Sequence, residues 1–147
     1  TSDRVSRAVM RNNLFVGTTA SYAMEFSAPM EECDFDYDGF AGGPFGNFAK
    51  WNGAFYATHG ESGAKAGLEL NAVIMKSEGL FASGIMPPED PKMQFGVAAN
   101  DLRLAASAKA VDAGESLSNF NDGLAGAAAD LGAYELGEPL PRYGPRD

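Results

Sequence analysis

The sequence has little cysteine and little histidine, with one residue of each type among 147. A single cysteine, Cys33, cannot form a disulfide bond within the chain, and we interpret it as a small buried apolar residue. The single histidine, His59, excludes a metal site built from several histidines, and its neighbours lack the pattern of a nucleophile elbow. His59 is therefore interpreted as a turn or surface residue.

Long hydrophobic segments are also missing. The longest uninterrupted apolar runs, such as residues 14–16 and 125–129, are far shorter than the roughly 20 residues that cross a bilayer. The first twenty residues carry three arginines and no following apolar segment, so no signal peptide is visible. Either a signal peptide was removed or the chain is an excised piece, and we expect no membrane insertion.

Positive charge is scarce. Eleven lysine and arginine residues against twenty aspartate and glutamate residues give a formal charge of −9 at pH 7. This charge repels the phosphate backbone of nucleic acids and anionic lipid surfaces, so we expect no nucleic acid partner. It also opposes a uronic-acid polymer unless cations intervene, whereas a neutral glycan meets no such repulsion.

Residues that bend the chain are abundant. Eighteen glycines and eight prolines interrupt the apolar runs, which is typical of many short elements. We predict strands at residues 14–16, 22–26 and 33–40, and in the last of these, alternation places three aspartates on one face. The 21 residues from Asn13 to Asp34 fit the period of about 20 to 30 residues of a parallel β-solenoid. A short helix is predicted between residues 61 and 70.

Several segments resemble one protein family and follow one another in the expected order. Residues 100–114, NDLRLAASAKAVDAG, are similar to the D-x-R-L-x-x-x-S-x-A-x-D-x-G stretch that closes many right-handed parallel β-helix repeat proteins. Residues 130–135, DLGAYE, resemble their terminal D-[IL]-G-A-[YF]-E, and the closing residues 143–146, YGPR, fit as well. Upstream, residues 11–15 resemble a late coil, and residues 34–38 resemble a final strand.

The resemblance implies an all-β fold, the terminus of a right-handed parallel β-helix or solenoid, with a long irregular capping tail and one short helix. On this interpretation residues 1–147 are a single unit. The last β-helix coils occupy residues 1–41, a loop-rich connector residues 42–99, and a closing and capping tail residues 100–147. The resemblance also implies a secreted or cell-surface protein.

An open edge is expected at the N-terminal end of such a unit. A solenoid coil buries its apolar interior against neighbouring coils, and about three repeats are needed for stability, whereas about two are visible here. We therefore predict docking on another polypeptide, either missing N-terminal coils or a second copy of the chain. The predicted interface residues are Asn12, Asn13, Leu14, Phe15, Val16 and Phe26.

The strongest candidates for chemistry are Asp34, Asp36 and Asp38. Neighbouring carboxylates on one strand face lie about 6.5 to 7 Å apart, which falls in the range of about 6.5 to 9.5 Å for an inverting glycosidase. The D-x-D-x-D-G pattern also opens an EF-hand loop, but Phe45 stands where the bidentate glutamate is required. A simpler Ca²⁺ or hard-cation site and a solvated strand face without chemistry both stay open.

Three function hypotheses follow. The first is the C-terminal part of an extracellular protein that binds or processes polysaccharide without catalysis of its own, with Tyr37 and Trp51 stacking on sugar rings. The polysaccharide is implied by the resemblance alone. The second is a structural, self-assembling protein whose open edge stacks on another chain. The third is a glycoside hydrolase or lyase that uses the aspartate row, so enzymatic activity stays an open question.

Overall fold

The structure, a computed structural model of the chain, describes residues 4–18, 20–90, 92–94 and 100–140. The YGPR motif at residues 143–146 lies outside the described residues. In chain order the regular elements are β1 (Val5–Ser6), β2 (Val9–Met10), β3 (Leu14–Val16), β4 (Ala20–Glu25), β5 (Met30–Glu31), β6 (Asp34–Phe35), β7 (Gly39–Ala41), β8 (Phe45–Trp51), β9 (Ala54–Tyr56), α1 (His59–Ala66) and β10 (Val73–Met75).

The first eight strands form two rows. Strands β1 to β4 are the first row, and strands β5 to β8 are the second row. Each strand of the first row pairs in parallel with one strand of the second, so that Val5 lies opposite Met30 and Leu14 lies opposite Gly39. The two rows therefore run side by side at a constant offset of 25 residues.

The predicted right-handed parallel β-helix terminus is wrong. The strands of the described residues lie in four separate sheets, two of two strands and two of three, and β9 runs antiparallel to β8. Left-handed backbone at Arg7, Asn12, Glu32 and Tyr37 ends many of the strands after two or three residues. The described fold is a small arrangement of short strands with one helix.

Two details of the strand prediction change as well. The expected repeat from Asn13 to Asp34 is wrong, because Asp34 pairs with Val9, and Asn13 lies against Asp38. The single alternating strand at residues 33–40 is wrong too, because Tyr37, with a φ of 57°, separates β6 from β7. The aspartates after β6 therefore do not share a strand face.

The short helix predicted between residues 61 and 70 is present, shifted toward the N-terminus as α1. Thr58 caps its first turn, with its hydroxyl oxygen accepting a hydrogen bond from the Glu61 N–H at 3.2 Å. Lys65 pairs with Glu61 at 2.6 Å one turn along, and Gly67 ends the helix with a φ of 64°. No helix in the described residues is long and apolar enough to span a bilayer.

Apolar residues of the two rows form a first core cluster. Three of its aromatic rings pack edge to face or tilted, with ring centroids of Phe26, Phe35 and Trp51 between 5.3 and 5.5 Å apart. The buried members of the first cluster are Met24, Met30, Phe35, Phe40, Phe48, Ala49, Trp51 and Leu68. This cluster holds the second row beside the first and so positions the strand edges described below.

A second core cluster joins the strands to the last third of the chain. Residues 100–140 contain turns and a single bridge residue, Leu104, which pairs with Phe81. Gly39 lies beneath this segment, and a side chain there would bring Cβ within 2.9 Å of methyl groups of Leu14 and Leu131. The buried members of the second cluster are Ala41, Met75, Leu80, Leu104, Ala110 and Leu131. The last third of the chain thus packs against β3, β7 and β10.

Candidate functional site

The three predicted aspartates lie in different surroundings. Asp34 is exposed, and its carboxylate pairs with Arg11 at 2.5 Å. Asp36 accepts hydrogen bonds from the backbone and side-chain nitrogens of Asn71 at 2.6 and 2.8 Å, whereas Asp38 is completely buried. Within the described ranges, no three histidine, cysteine, aspartate or glutamate side chains form a group that could hold a metal ion. The structure does not bring the aspartate row together as one site.

The two aromatic residues predicted to bind sugar also lie in different surroundings. Trp51 is buried, and its ring packs edge-on against Phe26 and Phe35. Tyr37 is partly buried at the left-handed turn after β6, where its N–H donates to the Asp36 carboxylate at 2.9 Å. Trp51 therefore contributes to the core, and its ring offers no open face for stacking.

The single cysteine and the single histidine both contact backbone carbonyls. Cys33 is partly buried, and its thiol lies 3.4 Å from the carbonyl oxygen of Glu31. His59 is partly buried, and its Nε2 donates to the carbonyl oxygen of Glu69 at 2.5 Å. The imidazole ring also packs edge-on against Phe48. His59 thus fastens the loop that carries Glu69 to the helix and the second row.

The six predicted interface residues all make contacts within the chain. Asn12 bonds through its side chain to the backbone of Glu115, and Asn13 bonds through its side chain to Asp38. Leu14 and Val16 pack in the second cluster, and Phe26 packs in the first. Phe15 is the apolar member that is exposed, and one face of its ring stacks on Phe40 with ring centroids 5.3 Å apart.

A buried pair of carboxyl groups lies beneath the first row. Asp38 and Glu69 are both completely buried. Asp38 Oδ1 accepts hydrogen bonds from the backbone N–H and the side-chain amide of Asn13, at 2.7 and 2.9 Å. Glu69 Oε2 accepts the backbone N–H of Asp38 at 3.4 Å. Asp38 Oδ2 and Glu69 Oε1 have no hydrogen-bond partner within the described residues.

The surroundings of Glu69 favour its protonated form. Burial raises the pKa of Glu69 to about 8, and the negative charge of Asp38 and, more weakly, that of Asp36 add to the rise. At neutral pH Glu69 is therefore protonated, next to an Asp38 carboxyl group that accepts two N–H groups of Asn13. Because the pair is enclosed, its role is to hold the Asn13 corner to the loop after α1.

The outer edge of β1, β2 and β3, here called the N-terminal edge, has no strand beside it among the described residues. On the inner side, Val5 donates to the carbonyl of Pro29 at 2.9 Å, and Arg7 donates to that of Glu31 at 3.0 Å. Neighbouring residues of a strand direct their backbone groups to opposite sides. The N–H and C=O of Ser6 therefore point outward.

The same alternation applies along β2 and β3. The carbonyls of Ala8 and Met10 accept hydrogen bonds from the second row at 2.9 and 3.2 Å, so the backbone groups of Val9 point outward. The carbonyl of Asn13 accepts at 2.8 Å from the same side, which leaves the groups of Leu14 on the outer side. Three successive strands thus present outward donors and acceptors along one edge.

The opposite edge of the second row is covered. The side chain of Asn52 bonds to both backbone groups of Met30, accepting from the N–H at 2.6 Å and donating to the carbonyl at 3.0 Å. The N–H of Glu69 donates to the carbonyl of Phe35 at 2.9 Å behind β6. Strand β10 covers β7, and strand β9 covers β8. The two edges of the molecule therefore differ, because strands and polar groups cover the second row, whereas no strand lies beside β1, β2 or β3 in the described residues.

Comparisons of the chain with family models, with curated proteins and with solved structures gave no match. The family resemblance in residues 100–135 therefore stays an untested prediction, and the function has to be argued from the geometry.

Two features of the site were missed in the sequence. Glu69 lies in the segment GLELNA, where no local pattern marks it as buried, because its partner Asp38 is 31 residues away. Ion pairs between the rows were also missed, although the spacing holds a signal. Three arginines in residues 4–11 are followed, 23 to 27 residues later, by three acidic residues.

Proposed function

We propose that the chain is a polypeptide-docking module, which binds an extended segment of another polypeptide along the N-terminal edge. The observation that carries this proposal is the difference between the two edges. Ser6, Val9 and Leu14 direct backbone donors and acceptors outward with no strand beside them in the described residues, whereas the second row is covered. An unpaired strand edge is a template for β-strand addition.

Apolar side chains along the same edge favour docking. Val5, Val9 and Phe15 are exposed large hydrophobic residues, and Val9 has 68% of its surface open to solvent. Full burial of such a side chain contributes about 1.5 to 3 kcal/mol, and each backbone hydrogen bond adds roughly 0.5 to 1.5 kcal/mol. A partner strand that covers three such residues and satisfies the outward groups therefore gains from both effects.

The other function hypotheses find less support in the geometry. Polysaccharide binding has less support because Trp51, which was predicted to stack on a sugar ring, is buried in the first cluster. A glycosidase has less support because the aspartates do not share a strand face. Asp34 pairs with Arg11, and Asp38 is buried. Docking uses groups that are already placed on the surface, and it is the function we adopt.

A proline on the edge tests the proposal. The probe is a synthetic peptide of residues 27–41 with serine in place of Cys33, because this segment already fits beside the first row. We expect it to slow hydrogen exchange at the amides of Ser6 and Leu14. Val9→Pro removes an outward N–H and leaves the inward bonds in place, so we expect it to weaken peptide binding about tenfold.

The matched control is Val9→Ala, which shortens the side chain but keeps the N–H. Affinities from fluorescence anisotropy and exchange measured by mass spectrometry report on the two variants, and the thermal transition of each chain shows that it is folded. If exchange at the N-terminal edge does not change with peptide, the docking proposal fails. If Val9→Pro binds as tightly as Val9→Ala, pairing through the backbone fails.

A further inference from the structure

The charges of the N-terminal edge have one sign. Between residues 4 and 18 the charged residues are Arg4, Arg7 and Arg11, with no lysine, aspartate or glutamate. The whole chain has nearly twice as many acidic as basic residues. Residues 4–18, which contain the three strands with an open outer side, therefore carry three cationic side chains and no anionic one, and their ion pairs are made with residues elsewhere in the chain.

The second row shows which side chains these arginines bind. Arg4 pairs with Glu31 and Arg7 pairs with Glu32, both at 2.9 Å. Arg11 pairs with Asp34 at 2.5 Å. The segment of the second row that lies beside these arginines is thus acidic at three of the four positions 31–34.

Two of the arginines are exposed and can bind a further carboxylate. The side chains of Arg4 and Arg7 are 59% and 82% exposed. Arg7 bonds to Glu32 through Nε alone among the described contacts, so its two terminal nitrogens are available, and a guanidinium group carries five N–H donors. Arg11 differs, because its side chain is largely enclosed between Asp34 and Glu115.

We infer that the partner of the N-terminal edge is an acidic extended segment of a different polypeptide, with carboxylates opposite Arg4 and Arg7 and apolar side chains over Val9 and Phe15. This inference rests on the proposed docking function. Charge pairs at the rim of an interface select the partner and set the register, while the backbone pairing and apolar burial supply most of the affinity.

A second copy of the chain is a poorer occupant. Two N-terminal edges placed side by side bring like charges together, since each carries the same three arginines. The acidic second row of another copy is not free for pairing either, because Asn52, Glu69, β9 and β10 cover its outer edge. A different acidic chain avoids both obstacles.

The test compares two peptides on two versions of the chain. The acidic peptide is residues 27–41 with serine for Cys33, and the less acidic peptide also carries Glu31→Gln, Glu32→Gln and Asp34→Asn, so that Asp36 and Asp38 are its only acidic residues. We expect the full chain to bind the acidic peptide about tenfold more tightly at low salt, with the preference shrinking as salt is added. In the double variant R4Q/R7Q we expect the preference to fall below about threefold.

The matched control is Arg103→Gln, which removes an exposed arginine far along the chain, in the Asp101 pair. It should keep the full preference for the acidic peptide. Equal binding of the two peptides to the parent chain overturns the acidic partner and leaves docking intact, whereas binding of neither peptide overturns docking itself. Self-association of the chain that slows exchange at the N-terminal edge, seen by sedimentation without peptide, identifies a second copy as the occupant and also overturns the inference.

Discussion

Glu69 combines a left-handed backbone, with a φ of 57°, and a completely buried acidic side chain. Its backbone serves two neighbours, because the N–H donates to Phe35 and the carbonyl accepts from His59. Its carboxyl group is held beside Asp38. A buried charge without a partner is strongly unfavourable, so this placement is stable only while the carboxyl group keeps its proton.

The retained proton makes stability depend on pH. The pKa of Glu69 is raised to about 8 in the folded chain, against about 4.5 for an ordinary glutamate. The folded state therefore binds more protons than the unfolded state between these values, and the free energy of unfolding falls as the pH rises from about 4.5 to about 8. We expect Glu69→Gln, which stays neutral, to flatten this decline, which amounts to as much as about 1.4 kcal/mol per pH unit.

The measurement is urea unfolding at pH 5, 6, 7 and 8. The matched control is Glu78→Gln, which changes an exposed glutamate nine positions further along the chain and should keep the parent's dependence on pH. A parent chain whose stability is constant over this range, or an equal change in the two variants, contradicts the raised pKa of Glu69.

At the scale of elements, the sequence predicts which segments are extended better than how they are arranged. The apolar residues 14–16 and 22–26 lie in or next to strands as expected, and the helix appears within two residues of its predicted start. Tyr37 shows why the arrangement was wrong, because a single left-handed residue divides an alternating segment and sends Asp36 and Asp38 to different neighbours. Nothing in a pattern of period two marks such a residue.

The site shows the same limit. The pairing of Asp38 with Glu69 joins residues 31 positions apart, and the covering of Met30 by Asn52 joins residues 22 positions apart. Hydrophobic periodicity predicts which face of an element is buried, but it does not say which distant polar residue satisfies a buried group. The expectation of a docking edge came from the solenoid interpretation, whose fold is wrong, together with the tendency of unpaired strand edges to bind another chain, and it stays a prediction that the proposed experiments test.

The cap of α1 gives a test at this scale. Thr58→Ala removes the hydroxyl oxygen that accepts the Glu61 N–H, and we expect it to lower the free energy of unfolding by about 1 kcal/mol. Thr58→Ser keeps the hydroxyl and should stay near the parent value. Chemical unfolding of the three chains measures the difference, and an alanine variant as stable as the serine variant contradicts the cap.

At the scale of the whole molecule, the last third of the chain is part of the same structure as the strands. Leu131 is completely buried in the second cluster, and its N–H donates to the carbonyl of Ala110 at 2.8 Å. The next residue, Gly132, donates to the carbonyl of Asn12 at 2.8 Å. These bonds connect residues near the two ends of the described chain, so we expect the two clusters to unfold together.

Leu131→Ala tests this expectation. A cavity in the second cluster should lower stability by about 2 to 5 kcal/mol, whereas Leu140→Ala, at an exposed site, should change it by less than about 0.5 kcal/mol. The reporter is the fluorescence of Trp51, the single tryptophan, which lies in the first cluster. If the tryptophan transition does not move in Leu131→Ala, the two clusters unfold independently.

The position of Arg11 has a consequence for how the protein is made. Its guanidinium group bonds to Glu115, 104 residues further along, and also to Asp34 in the second row. A ribosome synthesises the strands of both rows well before it reaches Glu115, so the nascent chain carries the Arg11 contacts incomplete until that residue is made. Contacts between such distant residues form slowly, because a long loop must close first. The first row is therefore completed only after the second row has been synthesised.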